Sequence, residues 1–512
     1  MSTRAARSRH PVIIATGEKS LDQLDFQLPG PIELEWRRRY RSGDARKDGW
    51  FGQGWAHPLA TELWIQDDGR REGVEQGREV VLPAIAVGQE HCQAYEQFTL
   101  IRPTATRWSL RHNHGLTHHF RQRHSGQWRL PLEVVQDRNL RRLLLQFNDG
   151  DFGDGFDGEA MSPRPQCLID SVGRKLHLVW TEQKELSEVI VELGDTRIGL
   201  ASYLFGRAAP TDGGLQDLLS HTDANGHTRT FSWDQHLLVG YTLATGQRFS
   251  NRYDQLTPAG RVTKSLALDD GTGDWFDYNG RTTRVRDRLG RETVYVHNAR
   301  QDLVAVHDAE GNVTRSTYDD EGRPESSTDP LGRTMTTSFD HRGNLTLLMD
   351  EAGRATKVEY NALDLPTNIT DAMGGEWLRR YDERGNLIAS TDPLGHTTLY
   401  EVDTLGQVTA VIDALDKRTT LEWDEAGNLV AYTDCSGNTS REMYDALGNM
   451  VSSTDALGQR TDYLIDAAGQ PLRITQPDGA QHSYAWDGEG NLVRYVDPLG
   501  QVTTWTFNGA GN

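Results

Sequence analysis

The sequence predicts an all-β fold: a long, coiled antiparallel sheet of β-hairpin repeats that encloses space, preceded by an irregular β-rich region. Three observations carry the prediction. From Phe276 onward the chain recurs every 21 residues without insertion or deletion. Nearly every recurrence contains two turns that open on Asp or Asn and close on Gly. Between the turns lie five to seven residues rich in Leu, Val, Thr and aromatics, which are strand lengths and strand residues.

Unit starts fall at Phe276, His297, Tyr318, Phe339, Tyr360, Tyr381, Val402, Trp423, Tyr444, Ile465, Trp486 and Phe507. Position 2 of the unit is Asp or Asn throughout. Position 5 is Gly in ten of twelve units, failing at Gln301 and Asp364. Position 15 is Gly in ten of eleven, failing at Asp416, and position 12 is Asp in ten of eleven, failing at Gln476. Chance at this composition would place about two or three Gly in those slots, so the period is real.

Each turn has a mechanism. In Asp382-Glu-Arg-Gly385 and Asp392-Pro-Leu-Gly395, the Asp side chain accepts hydrogen bonds from nearby backbone and Gly supplies the left-handed closing position; Pro, where present, sets φ at the second position. One unit is therefore one hairpin. At ~4.8 Å per strand the regular repeats alone would make a ribbon over ~100 Å wide, which natural twist must coil. Aromatics at position 1 and Leu, Val or Met at position 7 (Leu345, Leu387, Leu429, Met450, Leu492) form one apolar row each. That is too thin for a packed sandwich and suits part of a hollow shell.

Weaker copies, Thr222-Asp-Ala-Asn-Gly226 and Tyr253-Asp with Gly260-Arg-Val262, start the repeat region near 211. The expected organisation is an opening segment at 1–70, a β-rich region with an acidic Gly loop at 71–210, and hairpin repeats at 211–512, regular from 276. The last unit is cut off after six residues, leaving an uncapped edge strand. A fragment of a longer protein is therefore expected.

Composition narrows the function. Net charge is −20, which disfavours nucleic acid, since phosphate affinity comes from Lys and Arg. Residues 276–512 contribute −17 of it, and nineteen of their acids are turn Asp at positions 2 and 12. The acidity is mainly turn chemistry. The three cysteines, Cys92, Cys167 and Cys435, lie far apart and form neither a disulfide framework nor a zinc knuckle. The first ten residues are basic but no apolar signal region follows, and the longest apolar stretch, 80–87, is broken by Pro83. No membrane partner is expected.

The Tyr-Asp-x-x-Gly-Asn-Leu and Thr-Asp-Pro-Leu-Gly-x-x-Thr patterns at 21-residue period resemble the tyrosine–aspartate repeats of bacterial Rhs proteins. The first half agrees: Thr16-Gly17, Asp25-Phe26-x-Leu-Pro-Gly30, Pro31-x-Glu-Leu34, Arg39-Tyr40-Arg-Ser42 and Gly52-x-Gly54-Trp55 resemble the opening of the Rhs core. The resemblance implies a β-shell enclosing a C-terminal toxin domain, which this chain does not carry. It further implies a secretion-system tip protein and a chaperone as partners, and residence in the bacterial cytoplasm before export without a signal peptide, by type VI secretion. No Pro-Ala-Ala-Arg tip domain, terminal core motif or self-cleavage aspartates match, so no catalytic residue is carried over.

Three stretches bear on chemistry. His112, His114, His118, His119 and His124 place two imidazoles at alternating spacing, a candidate metal pair. No carboxylate or Cys completes a site, and a polar hairpin over 108–120, turning at Asn113 and Gly115, is the simpler reading. Gly153-Asp-Gly-Phe-Asp-Gly158 matches a dinucleotide pattern in form, but Asp149, Asp151, Asp154 and Asp157 would repel a pyrophosphate. Calcium suits them better, although an EF-hand template fails at Gly153, so an acidic surface loop is the default. The basic patch Arg37, Arg38, Arg39, Arg41, Arg46 and Lys47 alternates between strand faces and is expected to pair with the acidic repeats or a partner. No phosphate loop, zinc-protease motif or nucleophile elbow is present.

The sequence thus points to a non-enzymatic, encapsulating wall with no cofactor, no metal and no catalytic residues. The alternative is a cell-surface adhesin whose repeat aromatics, such as Tyr381 and Trp423, stack on glycans.

Overall fold

The structure, a computed structural model, describes residues 11–46, 49–65, 71–75, 78–123, 129–148, 163–206 and 216–507. Strands make up 55% and helix 1%, the latter a single 3-10 turn at Pro58–Ala60 among the described residues. The dominant element is one antiparallel sheet of 38 strands. It starts at Glu90–Gln93, and each strand pairs with its neighbours in sequence as far as Val502–Thr504. Among the described residues the first strand pairs only with Phe98–Thr104 and the last only with Leu492–Val496, so no ladder closes the strip into a barrel.

The hairpin assignment holds unit by unit. In the unit at Tyr381, strand Leu387–Thr391 pairs with Thr397–Val402 as Ala389↔Leu399 and Thr391↔Thr397. The turn between Tyr381 and Leu387 is fixed by one carboxylate. Asp382 Oδ1 accepts the backbone N–H groups of Arg384 (2.9 Å) and Asn386 (2.8 Å), and Oδ2 accepts the Asn386 side-chain amide (2.8 Å). Gly385 N–H donates to Asp382 O (3.1 Å) at φ +89°. Where Gly is missing the backbone keeps the same shape: Gln301, Asp364 and Asp416 adopt φ +69°, +60° and +59°.

Position 1 has a role beyond packing. A register shift beside each of these aromatics turns its polar tip back onto the preceding hairpin. Tyr381 OH donates to Pro366 O (2.9 Å), Trp423 Nε1 to Val408 O (2.8 Å), and Tyr444 OH to Leu429 O (3.0 Å), each fifteen residues back. The same clamp recurs upstream at Trp180 to Pro165 O, Trp233 to Leu218 O and Tyr253 to Leu238 O. Asx-capped turns also appear upstream, at Asp137 and Asp170. The ladder crosses the 207–215 interval, with Thr196–Gly206 paired to Asp217–Asp223. Hairpin architecture therefore reaches well ahead of the regular period.

The core is one-sided along the chain. A three-stranded sheet of Ser20–Leu28, Leu34–Arg41 and Trp55–Ala56 packs its Trp36, Tyr40 and Trp55, with Phe51 from the preceding turn, against the upstream strands in one large apolar cluster. That cluster draws its buried members from residues 21–267, with Leu447 the single one from the regular repeats. The repeat wall is a single layer whose strand residues are mostly half-buried, its deepest points being the small Ala389, Ala410, Ala431 and Ser452.

Candidate functional site

The strip winds onto itself, and the contact between its two passes is the feature most able to serve a function. Hairpin turns of the upstream strands meet turns of the regular repeats in matching order. Gln97 Nε2 donates to Gly343 O (3.1 Å), and Asn113 Nδ2 to Arg342 O (3.3 Å). Arg138 Nη2 donates to Leu363 O (3.1 Å), and Asn139 Nδ2 to Asn386 Oδ1 (2.9 Å). Further along, Arg174 Nη1 donates to Leu447 O (2.6 Å), Asn225 Nδ2 to Asp466 Oδ2 (3.0 Å), and Arg229 pairs with Glu489 (2.7 Å). The partners are 225–273 residues apart in sequence. Amide and guanidinium donors on one side meet turn carbonyls and side-chain oxygens on the other, so these seam bonds are polar and made by side chains.

All these contacts fall on one rim of the repeat sheet, formed by the turns at unit positions 2–6. The opposite rim, formed by positions 12–15, is open. A Cβ built on Gly332, Gly395 or Gly458 there meets nothing within 4 Å, whereas one on Gly343 at the seam would lie 2.2 Å from Ala94 O.

Beneath the seam lies a buried polar knot. Arg38 and Asp25 are fully buried and paired, Arg38 Nη2 to Asp25 Oδ1 at 2.8 Å. Tyr203 OH donates to Asp25 Oδ2 (2.7 Å) and accepts from Trp36 Nε1 (3.0 Å), while His221 Nε2 stands 3.5 Å from Asp25 Oδ1. Four rings surround the guanidinium, with Trp55 at 4.7 Å and Tyr203 at 5.1 Å. Burial works against the Asp25 charge, but Arg38 and then His221 outweigh it and hold the carboxyl below its ordinary range. Burial pushes His221 down to about 4. The knot is sealed and structural: it ties the opening segment to the strip.

The other predicted stretches resolve differently. His112 ends strand Arg107–His112 and His118 lies in Thr117–Arg121, joined by the expected turn with Gly115 at φ +105°. Their rings pack edge to face at 4.5 Å and His114 stacks on His112 at 5.0 Å; His119 instead meets Ser109 (2.9 Å). Burial holds His112 at about 4 and His118 well below its ordinary value. Among the described residues no group of three or more His, Cys, Asp or Glu is placed to hold a metal ion. His124 and the 149–158 acidic loop lie outside the described residues.

The basic patch corrects its expectation. Its partners are acids close by in sequence rather than the repeat acids: Arg37 with Glu35, Arg38 with Asp25, Arg39 with Asp22, Arg41 with Glu18 and Arg46 with Asp44. Antiparallel pairing of Ser20–Leu28 with Leu34–Arg41 sets Asp22 directly opposite Arg39 and brings Asp25, at the register shift, to Arg38. Lys47 lies outside the described residues. Tyr381 and Trp423, the aromatics expected to meet glycans, are half-buried and spend their polar tips on the clamp.

Known proteins share both halves of this organisation. The family described as "RHS Repeat" matches 297–334, 402–439, 444–484 and 486–512, all within the region of 21-residue period. The chain carries Rhs repeats, which together with its relatives support an Rhs-type protein. The chain also matches, over 9–82, a domain of unknown function, DUF6531, which covers the segment carrying the buried knot. Neither description names an enzymatic activity. The toxin protein Tse5 of Pseudomonas aeruginosa is 29% identical over 329 residues, 56% of this chain and 23% of Tse5. Among solved structures, TcdB2–TccC3 aligns over 96% of this Rhs chain and 36% of its own, with 12% identity and a TM-score of 0.43. The Photorhabdus luminescens Tc holotoxin pore aligns over 91% and 30%, with 11% identity and a TM-score of 0.38. The chain thus spans about a quarter to a third of the length of these relatives.

Proposed function

We propose that this chain is part of the wall of a hollow shell that keeps a toxin domain of the same polypeptide enclosed until delivery. The observation that carries the reading is the seam: a single-layer strip that winds back and seals its own edge forms a wall rather than a packed core. The likeness to a toxin protein supports the cargo. Its role is steric, with no chemistry asked of the wall. Export through a type VI system, with a tip protein and a chaperone as partners, and use in competition between bacteria belong to the same proposal. The division at 1–70, 71–210 and 211–512 is proposed as a functional one: an opening segment that anchors the strip, most of the first pass, and hairpin repeats that complete the first pass and form the second stacked upon it.

A reporter domain joined after Asn512 tests enclosure. It is expected to survive protease that digests the free reporter, and to lose that protection when Arg138→Ala and Arg174→Ala open the seam. A fused reporter digested as fast as the free one would refute the proposal.

A further inference from the structure

Two imidazoles stand behind one corner of the seam. His112 Nε2 and His118 Nδ1 lie 3.4 Å apart, with the His114 ring stacked on that of His112. His112 is 7% exposed and packs edge to face on Phe98 at 5.7 Å. The pair anchors the hairpin tip that carries seam donors. His112 N–H donates to Leu116 O and Gly115 N–H to His112 O, and between them Asn113 N–H donates to Gln97 O (2.9 Å). Asn113 and Gln97 are the residues whose side chains reach across to Arg342 O and Gly343 O. This corner is held from behind by the histidines and in front by a repeat turn.

The ladders set apolar residues against the pair. Phe98 lies opposite His112, and Leu110 and Val135 lie opposite His118. His91, opposite Leu100, is a further titratable group on that face, while Arg111 and Glu90 pair with each other. Glu96 stands in the loop leading into Phe98. Arg138 lies against Gly115 and donates to Asn113 O (3.0 Å). Across the seam, Asp340 is taken up by the backbone of Arg342 and by Asn344, and Arg342 pairs with Asp364 at 2.8 Å. The charges that act on His118 through space are those of His112, His114 and His119, and each opposes a charge there. A proton at this pair therefore adds positive charge beside positive charge.

Two neutral imidazoles share one N–H, donated by one ring and accepted by the other, and a first proton is held in the same way. With a proton on both rings, two N–H groups face each other in an apolar corner, and the contact becomes repulsive. We propose that the His112–His118 pair is an acid-sensitive release for this corner of the seam: when both rings are charged the 113–115 tip withdraws, and Gln97 and Asn113 leave Gly343 and Arg342. The strand ladders on either side persist. Farther along, the seam rests on Arg174 and Arg229, whose guanidinium groups keep their charge throughout, so opening starts at this corner. This inference rests on the seam geometry and not on a toxin cargo, so its failure leaves the enclosure proposal standing.

Cys92 supplies the readout. It is half-buried on Glu90–Gln93, close enough to Arg342, Asp364 and Asp340 across the seam to sense their charges, whereas Cys435 is exposed and Cys167 buried. Labelling the whole chain with 4,4′-dithiodipyridine, which reacts with thiols in acid, followed by peptide mass spectrometry, gives three rates at each pH. His112 is held at about 4 in the closed corner, against an ordinary 6.5 once released. The closed state is complete above pH 6.5 and is lost as pH falls toward 4. The Cys92 rate relative to Cys435 is therefore expected to grow about tenfold by about pH 5.5. Cys167 should stay unlabelled. His112→Gln with His118→Gln should keep the circular-dichroism spectrum and abolish the rise. If that double variant does not fold, His118→Gln alone should flatten the rise in the same direction. A ratio that stays flat in the parent chain, a rise that the histidine variants keep, or Cys167 labelled in step with Cys92 overturns the proposal.

Discussion

Replacing Gly343 and Gly332 by Ala, one at a time, separates the cost of the turn from the cost of the seam. Both glycines close Asp-led turns, at φ +85° and +79°, so both changes incur the left-handed penalty of an L residue, about 1 kcal/mol. At Gly332 nothing lies within 4 Å of the new Cβ, and that penalty is the whole expected loss. At Gly343 the Cβ would sit 2.2 Å from Ala94 O and 3.1 Å from its carbonyl carbon. Backbone cannot swing aside as a long side chain can, so the two passes must separate locally. Overpacking of this kind adds roughly 1–3 kcal/mol, for a total of about 2–4 kcal/mol. Urea unfolding followed by tryptophan fluorescence measures both, and limited proteolysis of Gly343→Ala should show new cleavage near 94 and 343. Equal losses at the two sites would refute the seam.

Other expectations follow from the same geometry. Arg38→Met leaves the fully buried Asp25 short of its main partner and should cost roughly 3–5 kcal/mol, while adding Asp25→Leu should recover at least half; additive losses in denaturant titrations would argue against coupling. Burial holds His57 at about 3 and both His112 and His221 at about 4, against an ordinary 6.5. The unfolded chain takes up these protons first, so stability is intact above pH 6.5 and is lost as pH falls toward 4, on the order of 3 kcal/mol per histidine. A melting temperature independent of pH over that window would contradict this, and His112→Phe should shrink the acid loss. Gln301→Gly relieves a φ of +69° and should raise stability by about 0.5–1 kcal/mol, read as a shift in the urea midpoint.

Much of the fold is legible because hairpins are local. Asp382 and Gly385 name a turn without reference to anything distant, and the 21-residue period repeats that statement until it is unmistakable. The upstream hairpins escape notice because their closing positions are filled by residues such as Leu140 and Lys184, at φ +67° and +69°, which remove the glycine signal but not the turn. The clamp from Tyr381 to Pro366 depends on a register shift that no spacing rule reveals. The seam is harder still: Arg174 meets Leu447 because of the curvature accumulated over many strands. Alternation in Leu34–Arg41 put the arginines on opposite faces, but the acids that answer Arg38 and Arg39, Asp25 and Asp22, come from a hairpin partner, Ser20–Leu28, that the basic residues themselves do not announce.

The two directions of this wall differ as warp differs from weft. Along the strip, every strand is stitched to the next by a backbone ladder, and the hairpins that open on Tyr or Trp add a fifteen-residue clamp. Across the strip, passes are held by single side chains such as Arg138 and Arg174 resting on carbonyls. Pulling the passes apart breaks no ladder. The fabric should therefore dilate like a loosened spring, gaining girth or height while every hairpin stays folded, and then recoil.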